Sequence, residues 1–379
     1  MTLSVTSAFD GGNIRAVAIE GDRIDLEIVK DNQSDFYQWF YFRLTGAAGR
    51  EVEIRILNCA GAAYPHGWDG YRACMSFDRE EWERADTSYA GGILTIRATP
   101  PANTVWFAYF APYTMERHHD LVAEVAEHPE ADYRSLGRTL DGQEMDYFRI
   151  GRGPLSVWLY ARQHPGETMA EYWMEGALEK LLDDSDPVSK RLREKATFHV
   201  VPNMNPDGSR RGHLRTNAAG VNLNREWHAP SAERSPEVLC VLQEMDRTGV
   251  DFAMDVHGDE AIAAYFLAGF EGIPSWTREQ QELFDSFAGA LVRLSPDFQT
   301  DKGYEIPGPG KANLSMSTAQ LAERFGAVSM TLEMPFKDND DLPDPVCGWS
   351  PARCRALARS CLDALHSIVG GLEERKRSR

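Results

Sequence analysis

From Pro154 onward the chain alternates short apolar runs with stretches of helical period, and this constrains the fold more than any other feature. PLSVWLYA (Pro154 to Ala161) is an apolar run of strand length. The segment after it puts Met169, Tyr172, Trp173, Ala177, Leu178, Leu181 and Leu182 on one helical face. TFHVVPNMNPDG reads as a second strand ending in a turn. SPEVLCVLQEMDRTG reads as a helix with Ser235 as N-cap and Pro236 in its first position. VDFAMDVHGDE is again a strand, TREQQELFDSFAGALVRL an amphipathic helix, GAVSMTLEMPF a strand and ARCRALARSCLDALHSIVGGLEE a closing helix; the final RKRSR is expected to fray. Strands that alternate with helices predict an α/β domain with a mixed, mostly parallel sheet flanked by helices.

The front of the chain has a different texture. IDLEIV (Ile24 to Val29), WFYFRLTG (Trp39 to Gly46), VEIRILNC (Val52 to Cys59), GILTIRAT (Gly92 to Thr99) and VWFAYFAPY (Val105 to Tyr113) are β-branched or aromatic and partly alternate with period two. Gly, Pro, Asn and Asp break them, and no helical stretch lies between. An antiparallel β-sandwich domain is expected over residues 1–130, ahead of the α/β domain over 131–379, with 114–145 read as a connector.

Composition narrows the function classes. The chain has 58 acidic and 40 basic residues, a formal charge of −18. Neutralising nucleic-acid phosphates needs a positive surface, so no nucleic-acid partner is expected. No run approaches ~20 apolar residues, so no membrane span is expected. Cys59, Cys74, Cys240, Cys347, Cys354 and Cys361 form no CxxC pair and read as reduced thiols. The start, MTLSVTSAFDGG, has neither the basic nor the apolar region of a secretory signal, so a cytoplasmic enzyme is expected.

In open α/β sheets ligands bind beyond the carboxyl ends of the strands. After Ala161 come Arg162, Gln163, His164, Pro165, Gly166 and Glu167; after Val256 come His257, Gly258, Asp259 and Glu260; after Leu332 comes Glu333. His164 and Glu167 stand across a Pro-Gly turn that lets both face one point. Either histidine alone reads as an ordinary loop or core residue. Two at strand ends with a carboxylate favour a metal, since two His and one Glu are a recurrent catalytic zinc set with a fourth position for water. Such a zinc acidifies water and polarises a carbonyl. A further carboxylate must then move the proton, and Glu333 is the candidate.

The stretch from Asn203 to Arg225 sets Arg210, Arg211, Arg215 and Arg225 against Asp207 alone. Guanidinium forks suit bidentate carboxylate binding. Arg210 and Arg211 read as solvated surface, whereas Arg215 and Arg225 read as functional because of the family pattern they fall in.

HPGE at 164–167, NPDG at 205–208, GVNLNREW at 220–227, DVHGD at 255–259 and TLEMPF at 331–336 resemble, in order and spacing, the motifs of the zinc metallocarboxypeptidase family. QWFYFRLTG (Gln38 to Gly46), ILNC (Ile56 to Cys59) and FAYFAPYT (Phe107 to Thr114) resemble the N-terminal β-sandwich of cytosolic carboxypeptidases, in its bacterial type. That branch includes enzymes that trim glutamate from protein C-termini and side chains. The resemblance covers nearly the whole chain. It implies one zinc ion on His164, Glu167 and His257, and Glu333 as the general base and acid. It implies Arg215 as the group that polarises the scissile carbonyl, with Asn224 and Arg225 gripping the C-terminal carboxylate of a peptide or protein substrate. The family tyrosine that covers the bound residue falls on Tyr304 or Tyr265. Glutamate-selective members carry a basic residue ahead of the catalytic glutamate, which implies Lys311, with Lys302 and Arg324 behind it.

Two other readings stand beside this one: a zinc-dependent deacylase of N-acyl amino acids on the same fold, and an inactive peptide-binding protein. The complete NPDG-to-LNR segment and the front domain favour the peptidase over the deacylase. The filled zinc and catalytic positions speak against the binding protein.

Overall fold

The computed structural model describes residues 2–378. Its front part forms β1 (Ser4–Thr6), β2 (Arg15–Glu20), β3 (Arg23–Glu27), β4 (Tyr41–Thr45), β5 (Val52–Ile56), β6 (Cys74–Ser76), β7 (Glu83–Arg84), β8 (Asp86–Ala90), β9 (Ile93–Ala98) and β10 (Thr104–Ala108). These make two five-stranded sheets, ordered β1-β4-β10-β6-β7 and β2-β3-β5-β9-β8. All pairings are antiparallel except β3 with β5. The period of two in the sequence becomes an inner face: Ile24, Leu26, Ile54, Ile56, Leu94 and Ile96 in one sheet and Phe42, Leu44, Val105 and Phe107 in the other are buried in one apolar core.

The second part continues with α1 (Met115–Ala126), β11 (Ala131–Arg138), β12 (Glu144–Ile150), β13 (Leu155–Ala161), α2 (Met169–Leu182), α3 (Pro187–Lys195), β14 (Ala196–Val201), α4 (Pro206–Arg211), α5 (Pro236–Thr248), β15 (Phe252–Asp259), β16 (Phe266–Ala268), α6 (Arg278–Leu294), α7 (Ser317–Phe325), β17 (Val328–Pro335) and α8 (Pro351–Ser378). Seven strands form one mixed sheet in the order β11-β12-β14-β13-β15-β17-β16. The four central strands are mutually parallel, and the antiparallel pairings lie at the two edges. Alternate residues of β13 point to opposite sides: Val157 and Leu159 join the core of α2, α6 and α8, while Trp158 and Tyr160 join Val238, Val241 and Leu321. Burial on both faces is why β13 reads as a continuous apolar run rather than an alternating one.

Three expectations change. Residues 114–145 are no loose connector but α1, β11 and the start of β12. Thr114 caps α1 by accepting from the Arg117 amide, and β11 is an edge strand with mostly exposed side chains, so its sequence lacks an apolar period. Ser235 occupies the N-cap position of α5 but does not cap it; its hydroxyl bonds Glu226 and the Ser231 amide. The basic tail is helical to Ser378, because Arg375 reaches the Gly326 carbonyl (2.5 Å) and Lys376 reaches Asp251 (2.7 Å) and the Pro154 carbonyl (2.7 Å). Arg379 lies outside the described residues.

The front sheets are fixed to the second part by buried polar contacts. The Arg84 guanidinium, 6% exposed, donates to the carbonyls of Phe336, Lys337, Cys347, Trp349 and Arg72. Tyr109 stacks on Phe336, which follows β17, at 4.6 Å. Among the described residues no helix is long and apolar enough to cross a membrane.

Helix α1 is keyed to α2 and β12 by His118. Its Nδ1 lies 2.5 Å from Glu171 Oε1 and its Nε2 2.9 Å from Asp146 Oδ2, inside the protein. Burial works against a charge on the ring, but Glu171 and then Asp146 outweigh it, and the pKa is pushed up to about 9. A raised pKa stabilises the fold in full below the ordinary value of about 6.5 and ceases to as the pH passes about 9. The stability advantage of wild type over His118→Gln is expected to shrink by on the order of 2–3 kcal/mol between those limits, read from urea unfolding at each pH. An advantage that stays constant over this window would show that the ring carries no charge in the fold.

Candidate active site

Strand β13 ends at Ala161, and Arg162 then takes a left-handed conformation (φ 60°) that turns the chain off the sheet. Its guanidinium holds the turn by donating to the carbonyls of Pro165 (3.0 Å) and Tyr113 (2.7 Å) and to Glu171 Oε2 (2.6 Å). Gly166 is needed next, because a Cβ there would lie 3.0 Å from the Leu214 carbonyl oxygen. The turn therefore packs directly on the segment that carries Arg215. On the neighbouring strands, the β15–β17 register pairs His257 with Glu333.

These elements bring His164, Glu167 and His257 together, all buried. His164 Nδ1 is 2.7 Å from Glu167 Oε1, His257 Nδ1 is 2.7 Å from Glu167 Oε2, and the two Nδ1 atoms are 3.1 Å apart. Donor atoms around a tetrahedral zinc at ~2.0–2.1 Å stand about 3.3 Å from one another, so the set fits that ion. The other nitrogen of each ring faces an acceptor, as metal-binding imidazoles require. His164 Nε2 is 3.1 Å from Asn222 Oδ1, and His257 Nε2 is 2.8 Å from Asp255 Oδ2. Asp255 is itself fixed by Gln163 Nε2 (2.6 Å) and Ser317 Oγ (2.5 Å). Burial and the Arg215 charge push His164 down to about 4, keeping it neutral with a lone pair to offer. Burial also opposes a charge on Glu167, but the two histidines hold its carboxyl below the usual range.

Glu333 stands beside this set. Burial, above all, lifts its carboxyl well above the usual range; a divalent cation in the trio would pull it back. Its Oε1 is 3.0 Å from the Tyr304 hydroxyl, and its buried Oε2 has no hydrogen-bond partner among the described residues. The same hydroxyl is 2.8 Å from Asp259 Oδ2, and with one proton it can donate to one carboxylate at a time. Tyr304 thus stands against Glu333, whereas Tyr265 is buried and bonded to Ser295.

The Arg215 guanidinium lies over the rings of Tyr64 (5.4 Å) and Phe36 (5.8 Å). Arg225 donates to the Asn224 carbonyl (2.6 Å), and burial and then Arg215 push its pKa down. Asn224 is oriented by the Ser317 amide, which donates to its Oδ1 (2.9 Å). Neither Arg215 nor Arg225 pairs with a carboxylate among the described residues, although the chain carries −18. Of the proposed selectivity cations, Arg324 forms a two-pronged pair with Asp246 at the far end of the strands, and Lys302 pairs with Asp341 (3.0 Å). Lys311 is exposed, on the segment that leads to Ser315 and Ser317. Arg211 pairs with Asp141 at the surface.

A cavity of about 650 Å³ lies elsewhere, lined by Tyr41, Trp82, Tyr113, Arg117 and Glu175 among others, and His164, Glu167, His257 and Glu333 do not border it. Several members of the site carried no separate signal in the sequence. Asp255 and Asn222 sit inside the motif strings and Gln163 just before one, but they are distinguished only by their contacts with the histidines or with one another. Their effect can be measured: Asp255→Asn is expected to lower zinc affinity about 10–100-fold, by competition with a chelator. Unchanged affinity would mean that Asp255 does not orient His257.

Comparison with known proteins agrees with this geometry. The family model described as the cytosolic carboxypeptidase N-terminal domain matches residues 5–110, and that described as zinc carboxypeptidase matches 118–339. A metallo-carboxypeptidase from Burkholderia cenocepacia is 45% identical, with a TM-score of 0.95 over 97% of this chain and 100% of the other. A metallo-carboxypeptidase from Pseudomonas aeruginosa, in complex with (2-guanidinoethylmercapto)succinic acid, is 41% identical, with a TM-score of 0.95 over 97% and 100%. Cytosolic carboxypeptidase 1 of Mus musculus is 29% identical over 71% of this chain, which spans 26% of that longer protein. With its histidine–glutamate trio and its front sheets both matched, the chain belongs to the zinc carboxypeptidase family of metallopeptidases and carries the N-terminal domain of its cytosolic branch.

Proposed function

We propose that this site removes the C-terminal residue of a peptide or protein by adding water to the last peptide bond. The carrying observation is the pair of guanidiniums without carboxylate partners, Arg215 and Arg225, beside the His164–Glu167–His257 trio. Arg225 and Asn224 hold the terminal carboxylate, an anchor that an internal peptide bond lacks. One zinc ion, when bound by the trio, acidifies water and polarises a carbonyl. Glu333 accepts the proton of the attacking water on Oε2 and returns it to the amide nitrogen as the C–N bond breaks. Arg215 donates to the carbonyl oxygen as negative charge builds there. Tyr304 covers the bound residue while its hydroxyl steadies Glu333 Oε1. In this reading water adds directly to the carbonyl and no acyl-enzyme forms. A cytoplasmic setting agrees with six cysteines that are all free.

A preference for glutamate is the finer part of the reading. It is supported by Lys311, whose ammonium has no ion-pair partner among the described residues. The segment it stands on continues into the backbone that meets Trp227 and Asn224.

Glu333→Gln is expected to keep its zinc, measured by atomic absorption, while kcat falls at least about 1000-fold. Full turnover in that variant would refute the mechanism. On peptides that differ only in the last residue, glutamate is expected to give the highest kcat/KM, with hydrolysis lost to chelator and restored by zinc. Lys311→Ala should lower kcat/KM for glutamate about 10-fold or more and leave a C-terminal leucine unchanged. An equal loss on both would remove Lys311 from the pocket.

A further inference from the structure

The segment that carries Arg215 is held largely from the front domain. Asp31, 2% exposed, accepts from the amides of Leu214 (2.7 Å), Arg215 (2.8 Å) and Thr216 (2.9 Å) and from the Thr216 hydroxyl (3.1 Å). One carboxylate from the sandwich thus meets the backbone on both sides of the arginine. Neighbouring groups add to the grip. The Asn32 amide donates to His213 Nε2 (3.1 Å), the Asn32 side chain donates to the Ala218 carbonyl (2.8 Å), and Asn13 donates to the Gly212 carbonyl (2.8 Å). At Gly220 a Cβ would lie 2.5 Å from the Gln33 carbonyl oxygen, so the two segments touch at backbone distance. The Arg215 guanidinium then lies over Phe36 and Tyr64, both also from the front domain. Arg215 has no carboxylate to hold its side chain, so the backbone on which it stands and the rings beneath it set its direction.

We infer that Asp31 is a positioning residue for Arg215, and that the β-sandwich completes the active site instead of merely accompanying it. A charge-assisted acceptor taking several amides fixes a loop more firmly than neutral hydrogen bonds do. A donor aimed at a developing charge loses much of its effect when displaced by about 1 Å. The inference rests on the carboxypeptidase reading of Arg215, and it predicts a change in kcat with little change in KM, because Arg225 and Asn224 hold the substrate.

The test uses the full chain with zinc bound. Asp31→Asn keeps the side-chain shape but loses the charge. It is expected to lower kcat about 10–100-fold with KM within about twofold. In an Arg215→Ala background the same change should have no further effect on kcat. Arginine labelling by phenylglyoxal, read by mass spectrometry, should speed up several-fold at Arg215 and stay constant at Arg225. Thr216→Val, which removes only the hydroxyl bond, should move kcat and Arg215 labelling in the same directions by less, and it decides the matter if Asp31→Asn unfolds. Labelling is independent of turnover. If the wild type cleaves no peptide while labelling responds as expected, the activity reading fails and the positioning stands. Wild-type kcat with unchanged Arg215 labelling in both variants, or an equal loss of kcat in the Arg215→Ala background, would overturn it.

Discussion

Two imidazole nitrogens and a carboxylate turned toward one buried point are stable together only if positive charge stands among them, and the rest of the architecture serves that arrangement. The Nδ1 atoms of His164 and His257 are 3.1 Å apart, a distance at which two lone pairs repel. His164 is held there by Asn222 Oδ1, and the Asp255 carboxylate stands 2.8 Å from the other nitrogen of His257. The parallel centre of the sheet puts the ends of β13, β15 and β17 on one edge, and pairing Ala161 with Val256 and His257 with Glu333 sets their relative height. A one-residue slip between β15 and β17 would turn Glu333 to the opposite face. The placement of the trio and that of Glu333 therefore depend on the same register.

The front domain bears on this edge from two sides. Arg84 and Tyr109 meet the chain just beyond β17, where it leaves Glu333. Asp31 and the rings of Phe36 and Tyr64 meet the segment of Arg215. A catalytic sheet alone would leave Arg84's carbonyl partners and the Leu214–Thr216 amides without these acceptors and donors. Buried polar groups deprived of partners carry a penalty of about 1–3 kcal/mol each. The cores of the two parts are likewise continuous. The sandwich and the α/β layers thus behave as one folding unit at the site, whatever their separate histories.

Much of this was legible in the sequence, and what was not has identifiable causes. The strands of the inner faces and the helices α2, α5, α6 and α8 announce themselves by period. Edge strands such as β2, β8 and β11 do not, because their side chains are mostly exposed and share no apolar face. His164, Glu167, His257 and Glu333 are legible because strand ends and short motifs expose them. Tyr304 could not be separated from Tyr265, since both are aromatic residues in loops or near strands and only the three-dimensional path of residues 299–316 brings one hydroxyl to Glu333. Asp31 lies 184 residues before Arg215 in a loop with no periodicity, and long-range backbone bonds leave no trace in local spacing. His118 falls in the stretch read as a connector, where nothing local marks it, and its partners, Glu171 and Asp146, are brought from other elements.

The electrostatics follow from where the charges are, not from their sum. A net charge of −18 repels an acidic peptide at a distance, and screening over about 8–10 Å confines that repulsion to the surface. Inside the cleft, burial opposes a charge on Arg215, but Tyr64, Glu167, Glu260 and Glu333 outweigh it and raise its pKa. Arg215 and Arg225 are flanked by Asn222, Asn224 and aromatic rings, groups that orient a guanidinium without neutralising it. Arg211, by contrast, is matched to Asp141 and is spent on the surface. Burial, and then the neighbouring Arg215 charge, disfavour the cation at Arg225 and lower its pKa. A carboxylate beside Arg225 would oppose both effects. On the proposed reading, recognition of a chain end rests on short-range, geometry-dependent contacts and not on the long-range field of the acidic body.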